Sequence, residues 1–181
     1  MKNKLILLTA LLTISLSSNA FEREVFRAKI KENLENRLTH SDNVKAEFEN
    51  ISYGNHQKQK IDVYPSKMIN NEMHPIIVMV HGGGWKRGDK AASGVVDNKV
   101  NYYTKKGFIL VSVNYRLTPE VTPYEQAQDI GKAIEYVQKN ASSWKGNPNK
   151  VILMGHSAGA HLVTLVTADA GRCFTGNKIV I

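Results

Sequence analysis

The chain has very little cysteine and no long hydrophobic segment. Cys173 is the only cysteine among 181 residues, which excludes an intramolecular disulfide, so packing of the core must stabilise the fold. The most apolar stretch covers only residues 5–16, whereas a transmembrane helix requires roughly 20 apolar residues. The sequence therefore indicates neither a disulfide-stabilised domain nor a polytopic membrane protein.

Acidic residues are also scarce relative to basic ones. The chain has 24 Lys and Arg against 16 Asp and Glu, for a formal net charge of +8. The positive charges are spread along the chain, without the interleaved aromatic residues of a nucleic-acid surface. We interpret them as a solvated surface and expect no nucleic-acid partner, although nucleic-acid binding stays open as a weaker alternative. At 42% hydrophobic and 22% charged residues, the composition is that of one globular domain.

The first 20 residues have the pattern of a secretory signal peptide. Lys2 and Lys4 precede the apolar stretch at residues 5–16, and Ser18-Asn19-Ala20 offers small residues for cleavage. We therefore expect an exported protein, periplasmic or secreted, that has no stable membrane span once the signal is removed. A membrane anchor or a buried helix is the alternative.

The remaining chain alternates between strand and helix patterns. An amphipathic helix is predicted at residues 22–38, followed by a hairpin of strands at 45–53 and 60–64 that turns at Gly54-Asn55. Continuous apolar runs predict buried parallel strands at 75–80, 108–113, 150–154 and, as a beginning only, 178–181. Helical patterns lie between or after them at 97–106, 123–140 and 157–167. This alternation predicts an α/β fold.

Gly155-His156-Ser157-Ala158-Gly159 has the form of a nucleophile elbow, a sharp turn that presents a reactive serine. It directly follows one predicted buried strand and precedes a predicted helix. Side chains two residues before or after the serine would collide with the neighbouring strand and helix, and Gly155 and Gly159 remove those collisions. The amide of Ala158 at the helix N-terminus can donate to a developing oxyanion. The alternative is a plain strand-turn-helix with glycines for packing.

A second glycine motif, His81-Gly82-Gly83-Gly84, also follows a predicted buried strand. Its backbone amides can turn toward one point without obstruction by side chains, so Gly83 and Gly84 are candidates to complete an oxyanion hole with Ala158. A phosphate-binding loop is the alternative, but Asp89 and Lys90 stand where that motif needs Lys and Ser or Thr.

Three segments together resemble the hormone-sensitive-lipase-like branch of the α/β-hydrolases, and most closely its small carboxylesterase and kynurenine-formamidase-like members. The segments are residues 81–90, 114–120 and 155–162. The resemblance implies a mostly parallel sheet with helices on both faces. It implies Ser157 as nucleophile, with Gly83, Gly84 and Ala158 as oxyanion donors, and no cofactor. His81 would brace the glycine loop by hydrogen bonds, with Gly82, Gly155 and Gly159 in support.

Other polar residues near these motifs have structural interpretations. His156 points away across the turn and is rejected as the base, and the pair of His156 and His161 lacks the spacing of a zinc site. Arg116 is expected to pair with a carboxylate such as Asp129 or Glu125. Trp85 either lines the acyl pocket or packs beneath the glycine loop.

The sequence departs from the family after Ser157. The resemblance implies a catalytic acid and histidine on loops after two further strands, but the only candidates are Asp169 and His161. Both lie on or just after the helix that starts at the nucleophile, from which neither can reach the serine hydroxyl. We therefore expect residues 21–181 to be the N-terminal portion of an α/β-hydrolase domain that lacks its last strands. The chain would be a fragment, the product of a truncated gene or a non-catalytic remnant.

The function expected of the family is hydrolysis of small carboxylic esters with short acyl chains through an acyl-enzyme. An arylformamidase-like amide hydrolase or a catalytically dead interaction protein are the alternatives. An incomplete sheet would leave the strand at residues 150–154 as an exposed edge. For the chain alone we therefore expect poor solubility and at most trace activity.

Overall fold

The computed structural model describes residues 20–39 and 44–173. The chain forms two compact units, Met1–Asp42 and Asn43–Ile181. Apart from Ala20, the predicted signal peptide lies outside the described residues, and so does the predicted strand at 178–181. In the first unit, helix α1 (Ala20–Thr39) confirms the helix predicted at 22–38. Within the two described ranges, no helix is long and apolar enough to cross a membrane.

The second unit contains one five-stranded sheet in its described part. The strands are β1 (Phe48–Ser52), β2 (Lys60–Tyr64), β3 (His74–Val80), β4 (Ile109–Val113) and β5 (Gly146–Gly155), in the order β1-β2-β4-β3-β5. β2 is antiparallel to β1 and β4, whereas β3 is parallel to β4 and β5. Four of the five described strands therefore run in one direction, which confirms the α/β fold with a mostly parallel sheet.

Helices cover both faces of this sheet. They are α2 (Ser93–Thr104), α3 (Pro123–Asn140), α4 (Ala158–Ala168) and the short α5 (Ala170–Cys173), with a 3-10 turn at Ala141–Trp144. Successive strand residues point to opposite faces, so Val78 joins a core with α3 and α4, and Met79 joins a core with α2. Burial on both faces explains why β3 and β4 are continuous apolar runs.

Helix α3 begins where its sequence signals place it. The side chain of Thr122 accepts from the backbone N–H of Glu125, and the Glu125 carboxylate accepts from the backbone N–H of Thr122 at 2.8 Å. Pro123 occupies the first turn, where its missing N–H costs no helical hydrogen bond. This reciprocal cap fixes the start of the helix that covers the sheet next to the elbow.

The structure corrects the predictions for three elements. β1 begins at Phe48 rather than residue 45, and its pairing shifts register around Asn50, whose φ of 57° is left-handed. α2 begins at Ser93 rather than residue 97, because Ala92 at its N-cap provides no side-chain signal. β5 begins at Gly146 rather than residue 150, and although the sequence predicts it to be buried, its Ile152 is 46% exposed, since within the described residues β5 pairs with β3 alone.

A partly buried ion pair connects the loop after β4 to helix α3. Arg116 forms two hydrogen bonds with Asp129, Nη2 to Oδ1 at 2.7 Å and Nε to Oδ2 at 2.8 Å, which confirms one of the two predicted partners. Asp129 is fully buried and also accepts from Nε2 of Gln59 at 2.7 Å, in the segment between β1 and β2. One carboxylate therefore holds three segments together.

We predict that Arg116→Met lowers the free energy of unfolding by about 3 kcal/mol, because it leaves the Asp129 charge buried without its cation. Urea denaturation measures the difference. Lys132→Met, which removes an exposed charge from the same helix, is the matched control and should stay within about 0.5 kcal/mol of the parent chain. Equal losses in the two variants would show that the ion pair does not stabilise the fold.

Candidate active site

The two glycine motifs emerge side by side at the carboxyl edge of the sheet. Val80 at the end of β3 pairs with Gly155 at the end of β5 in a parallel register. The backbone N–H of His156 donates to the carbonyl of Val80 at 3.3 Å. Because the strands are neighbours and parallel, the loop beginning at His81 and the turn containing Ser157 leave the sheet together. The structure thus brings together the motifs that the sequence analysis singled out.

Ser157 has a strained backbone and an exposed side chain. Its φ of 54° and ψ of −120° lie in a region that non-glycine residues rarely adopt. It directly precedes α4, and its carbonyl accepts from the amides of Ala160 at 3.0 Å and His161 at 3.2 Å. The first turn of the helix holds the strained conformation in place. This is the backbone geometry expected of a nucleophile elbow.

The glycines that flank Ser157 have no room for a side chain. A Cβ on Gly155 would lie 2.5 Å from the carbonyl carbon of Gly159, across the turn. A Cβ on Gly159 would lie 2.3 Å from the carbonyl oxygen of Val80. Both contacts involve backbone, which cannot move aside as a flexible side chain can. The structure therefore confirms that side chains at positions 155 and 159 would collide with the neighbouring helix and strand.

The glycine loop lies directly against the serine. A Cβ on Gly82 would be 3.1 Å from Cβ of Ser157. Gly83 has a φ of 130° and would place a Cβ 1.9 Å from the carbonyl oxygen of Arg87, whereas Gly84 has a φ of 61° and open space around it. Larger residues would block the approach at Gly82 and strain the turn at Gly83 and Gly84.

The amides of Gly83, Gly84 and Ala158 have no hydrogen-bond acceptor among the described residues. Ala158 is the first residue of α4, so its amide also carries the partial positive charge of the helix N-terminus. Gly84 is exposed at the surface of the loop. Three donors near an exposed serine form a group that can bind an anionic oxygen.

His81 is packed into the base of the glycine loop. Its ring stacks on Tyr115 with centroids 4.5 Å apart, and the Tyr115 hydroxyl donates to the His81 carbonyl at 2.8 Å. Nδ1 lies 2.8 Å from the carbonyl oxygen of Gly82, which can only accept, so Nδ1 carries the proton. Burial lowers the pKa of His81 below its ordinary value. A neutral, buried imidazole is suited to bracing the loop.

Gln126, which no sequence motif singled out, also supports the loop. Gln126 is fully buried, and its Nε2 donates to the carbonyl of Trp85 at 2.9 Å. The backbone N–H of Thr118 donates to the same carbonyl, also at 2.9 Å. Trp85 follows Gly84 with a φ of 59°. Its position on the apolar face of α3, together with Ile130 and Ala133, was the sequence signal that could have indicated a buried, hydrogen-bonded side chain.

Trp85 packs against the core, which agrees with the packing role, one of the two considered for it. Its ring is half-buried against the core, and its edge meets the ring of His161 with centroids 5.4 Å apart. Its indole N–H is buried without a hydrogen-bond partner among the described residues. The side chain therefore contacts both the main core and a residue of helix α4.

Within the described residues, no side chain forms a hydrogen bond with the Ser157 hydroxyl. His156 and His161 are both exposed. Asp169, the carboxylate that follows Ser157 in sequence, instead accepts from the hydroxyl of Tyr124 at 3.1 Å. In the described part of the chain, no cluster of three or more His, Cys, Asp or Glu side chains could hold a metal ion.

A cleft of about 500 Å³ lies away from Ser157, between the β1–β2 hairpin and the segment after the glycine loop. The ion pair of Lys90 and Asp62, with Nζ 2.7 Å from Oδ2, is buried at its wall. Asn114 accepts from the Lys90 amide and donates to Asp89 there. These polar groups satisfy one another, and they anchor the end of the glycine loop to β2 and β4.

Comparison with known proteins identifies the family. Residues 61–178, well over half of the chain, match the family described as BD-FAE. The chain belongs to the BD-FAE family. This BD-FAE chain is an α/β-hydrolase of the carboxylesterase group, as its relatives show.

Two curated relatives and one solved structure illustrate the similarity. The BD-FAE chain is 34% identical to isoprenylcysteine alpha-carbonyl methylesterase ICME of Arabidopsis thaliana, over 62% of this chain and 25% of that protein. It is 28% identical to esterase LipC of Mycobacterium tuberculosis, over 66% of this chain and 29% of that protein. An inhibited esterase B from Lactobacillus rhamnosis superposes with a TM-score of 0.59 at 26% identity, over 82% of this chain and 49% of that one.

The BD-FAE chain spans about a quarter of the length of these curated relatives and about half of the solved esterase. The matched family region contains both glycine motifs, the Arg116–Asp129 pair and Gln126. The family assignment therefore rests on the part of the chain that builds the carboxyl edge of the sheet.

We predict that Gly159→Ala destabilises the fold by about 1–3 kcal/mol, because the new methyl group meets the carbonyls of Val80 and His81. Gly94→Ala is the matched control, since nothing lies within 4 Å of its position in α2. This substitution should be neutral or stabilise by up to about 1 kcal/mol. If Gly159→Ala were as stable as Gly94→Ala in urea denaturation, the close packing of the elbow would be disproved.

We also predict a pH dependence of stability from His81. Its folded pKa is depressed, so the unfolded chain binds the proton more readily. The stability that His81 contributes to the fold is fully present above its unfolded pKa of about 6.5 and is lost as the pH falls below that value. The free energy of unfolding of the parent chain should therefore fall more steeply toward pH 5 than that of His81→Gln. The difference in slope has an upper limit of about 1.4 kcal/mol per pH unit for a single proton, and identical slopes would contradict the assignment.

Proposed function

We propose that Ser157 is the nucleophile of a carboxylic-ester hydrolase and that Gly83, Gly84 and Ala158 donate to the oxyanion. The single observation that supports this most strongly is the close approach of Gly82 to the strained, exposed serine: a Cβ on Gly82 would lie 3.1 Å from Cβ of Ser157, and the amides of the next two glycines have no acceptor among the described residues. The esterase relatives support ester hydrolysis as the reaction. His81, Gly82, Gly155 and Gly159 would maintain this geometry.

In the proposed reaction, Ser157 Oγ attacks the acyl carbonyl carbon and the carbonyl oxygen becomes an anion. Collapse of this intermediate expels the alcohol, which takes the serine proton, and leaves an acyl-enzyme. Water then attacks the acyl carbon, releasing the carboxylic acid and restoring the serine hydroxyl. Loss of one oxyanion donor typically costs about 2.7–4 kcal/mol of transition-state stabilisation. No step requires a cofactor.

A serine hydroxyl also needs a base to accept its proton and an acid to orient that base. Among the described residues, none occupies either position at Ser157. We therefore propose that the 181-residue chain has only trace activity. A site that lacks part of its triad can retain about 10³–10⁴-fold acceleration over water from the oxyanion donors and binding alone.

We propose that the substrate is a small carboxylic ester with a short acyl chain. An amide or formamide would use the same nucleophile and donors and would differ in the leaving group. The relatives named above are esterases, which favours the ester. We further propose that residues 1–20 direct export, on the strength of Lys2, Lys4 and the apolar stretch that follows them.

Covalent labelling tests the nucleophile. The 181-residue chain is incubated with a fluorophosphonate for a long period, and the modified peptide is identified by mass spectrometry. We expect a slow reaction confined to Ser157, abolished in Ser157→Ala and unchanged in Ser93→Ala, which removes another exposed serine. Hydrolysis of p-nitrophenyl acetate should show a small difference between the same two variants.

The outcomes separate the candidate functions. An adduct on a different serine would contradict the role of Ser157. Complete absence of labelling would favour the catalytically dead interaction protein. Rapid labelling with robust Ser157-dependent turnover would contradict the proposal of trace activity, because it would require a base at the serine.

A further inference from the structure

The amino ends of the three parallel strands form an edge of the sheet opposite to Ser157. The segment at residues 65–73 precedes β3, Lys105 to Phe108 precede β4, and Lys145 precedes β5. These segments touch: the Lys67 amide donates to the Thr104 carbonyl at 2.9 Å, and the His74 amide donates to the Lys145 carbonyl at 2.8 Å. They therefore form one continuous surface.

Exposed apolar side chains are concentrated on this surface. Together with the adjoining end of α2, it carries four of the six large apolar side chains that are exposed among those whose burial the structure describes: Met68 at 47%, Ile69 at 103%, Met73 at 45% and Tyr102 at 55%. Met68 packs against Gly107: a Cβ on this glycine would lie 2.7 Å from Sδ of Met68. The segment at residues 65–73 therefore lies against the turn that follows α2. Clustered apolar exposure of this kind is typical of an interaction surface.

The same surface is positively charged. Lys67, Lys105, Lys106 and Lys145 are all exposed, and Glu72 is the one carboxylate in these segments. Nζ of Lys106 lies 4.5 Å from the centre of the Tyr102 ring. The four apolar residues and the four lysines are called the amino-edge patch. It combines apolar side chains that can enter an interface with ammonium groups around them.

We propose that the amino-edge patch docks onto an anionic lipid surface. Lysines attract anionic headgroups, and apolar side chains bury themselves at the boundary between headgroups and acyl chains, so the two contributions add. A second copy of this chain fits less well, because pairing two such patches would bring eight lysines together. Charge complementarity therefore selects lipid as the occupant.

The orientation follows from the parallel sheet. With the amino edge on a membrane, the carboxyl edge with Ser157 and the glycine loop faces the solution. Docking would thus leave the candidate site open to small soluble substrates. The proposal does not depend on the esterase activity, since its test measures only lipid contact.

The test uses a fluorescent reporter within the patch. Ile69→Trp in the full chain is mixed with vesicles of equal parts phosphatidylglycerol and phosphatidylcholine that carry brominated acyl chains, and the emission of the parent chain is subtracted. We expect a blue shift and quenching of the reporter. Adding Lys105→Glu and Lys106→Glu should weaken binding by about tenfold or more. Adding Lys86→Glu and Arg87→Glu makes the same change in charge at the opposite edge and should leave binding nearly unchanged.

Four results would overturn the proposal. The reporter could be unaffected by anionic vesicles, or equally quenched by vesicles of phosphatidylcholine alone. The two charge-reversal pairs could weaken binding equally, which would show a general charge effect. A blue shift that depends on protein concentration without vesicles would identify a second copy as the occupant. The N-terminal apolar stretch is present in every variant, so it cannot produce the expected difference.

Discussion

The candidate site depends on the parallel pairing of β3 with β5. This pairing places Val80 opposite Gly155, so the two loops that follow the strands must share the same space. They can do so because Gly82, Gly155 and Gly159 leave no side chains between them. The amides of Gly83, Gly84 and Ala158, which have no acceptor among the described residues, belong to these two loops.

The strain at Ser157 is sustained by the packing around it. A residue in such a backbone conformation costs on the order of 1–3 kcal/mol. Leu162 and Val166 on α4 are fully buried in the main core, which fixes the helix that begins at the serine. On the other side, His81 and Gln126 hold the two ends of the glycine motif through hydrogen bonds to the carbonyls of Gly82 and Trp85. Buried contacts of α4 and of the glycine loop, the two segments next to Ser157, thus stabilise its strained backbone conformation.

The sequence predicts those features that arise from local patterns. Apolar runs identify the buried strands β3 and β4, and the helical pattern at 123–140 identifies α3 with its observed bounds. It fails where long-range contacts decide the structure. The register of β1 shifts around Asn50, whose backbone N–H donates to the Asp62 carboxylate at 2.7 Å, and Gln126 supports a loop 41 residues away. The Arg116–Asp129 pair is an intermediate case. Charge alone limits the predicted partners of Arg116 to a few carboxylates, and the packing of α3 determines which of them it binds.

The relation between the glycine amides and the serine can be measured most directly in a crystal structure of the Ser157 phosphonyl adduct. Our account predicts that the phosphonyl oxygen lies about 2.7–3.1 Å from amide nitrogens of the glycine loop and of Ala158. An adduct whose phosphonyl oxygen faces solvent, away from Gly83, Gly84 and Ala158, would contradict it.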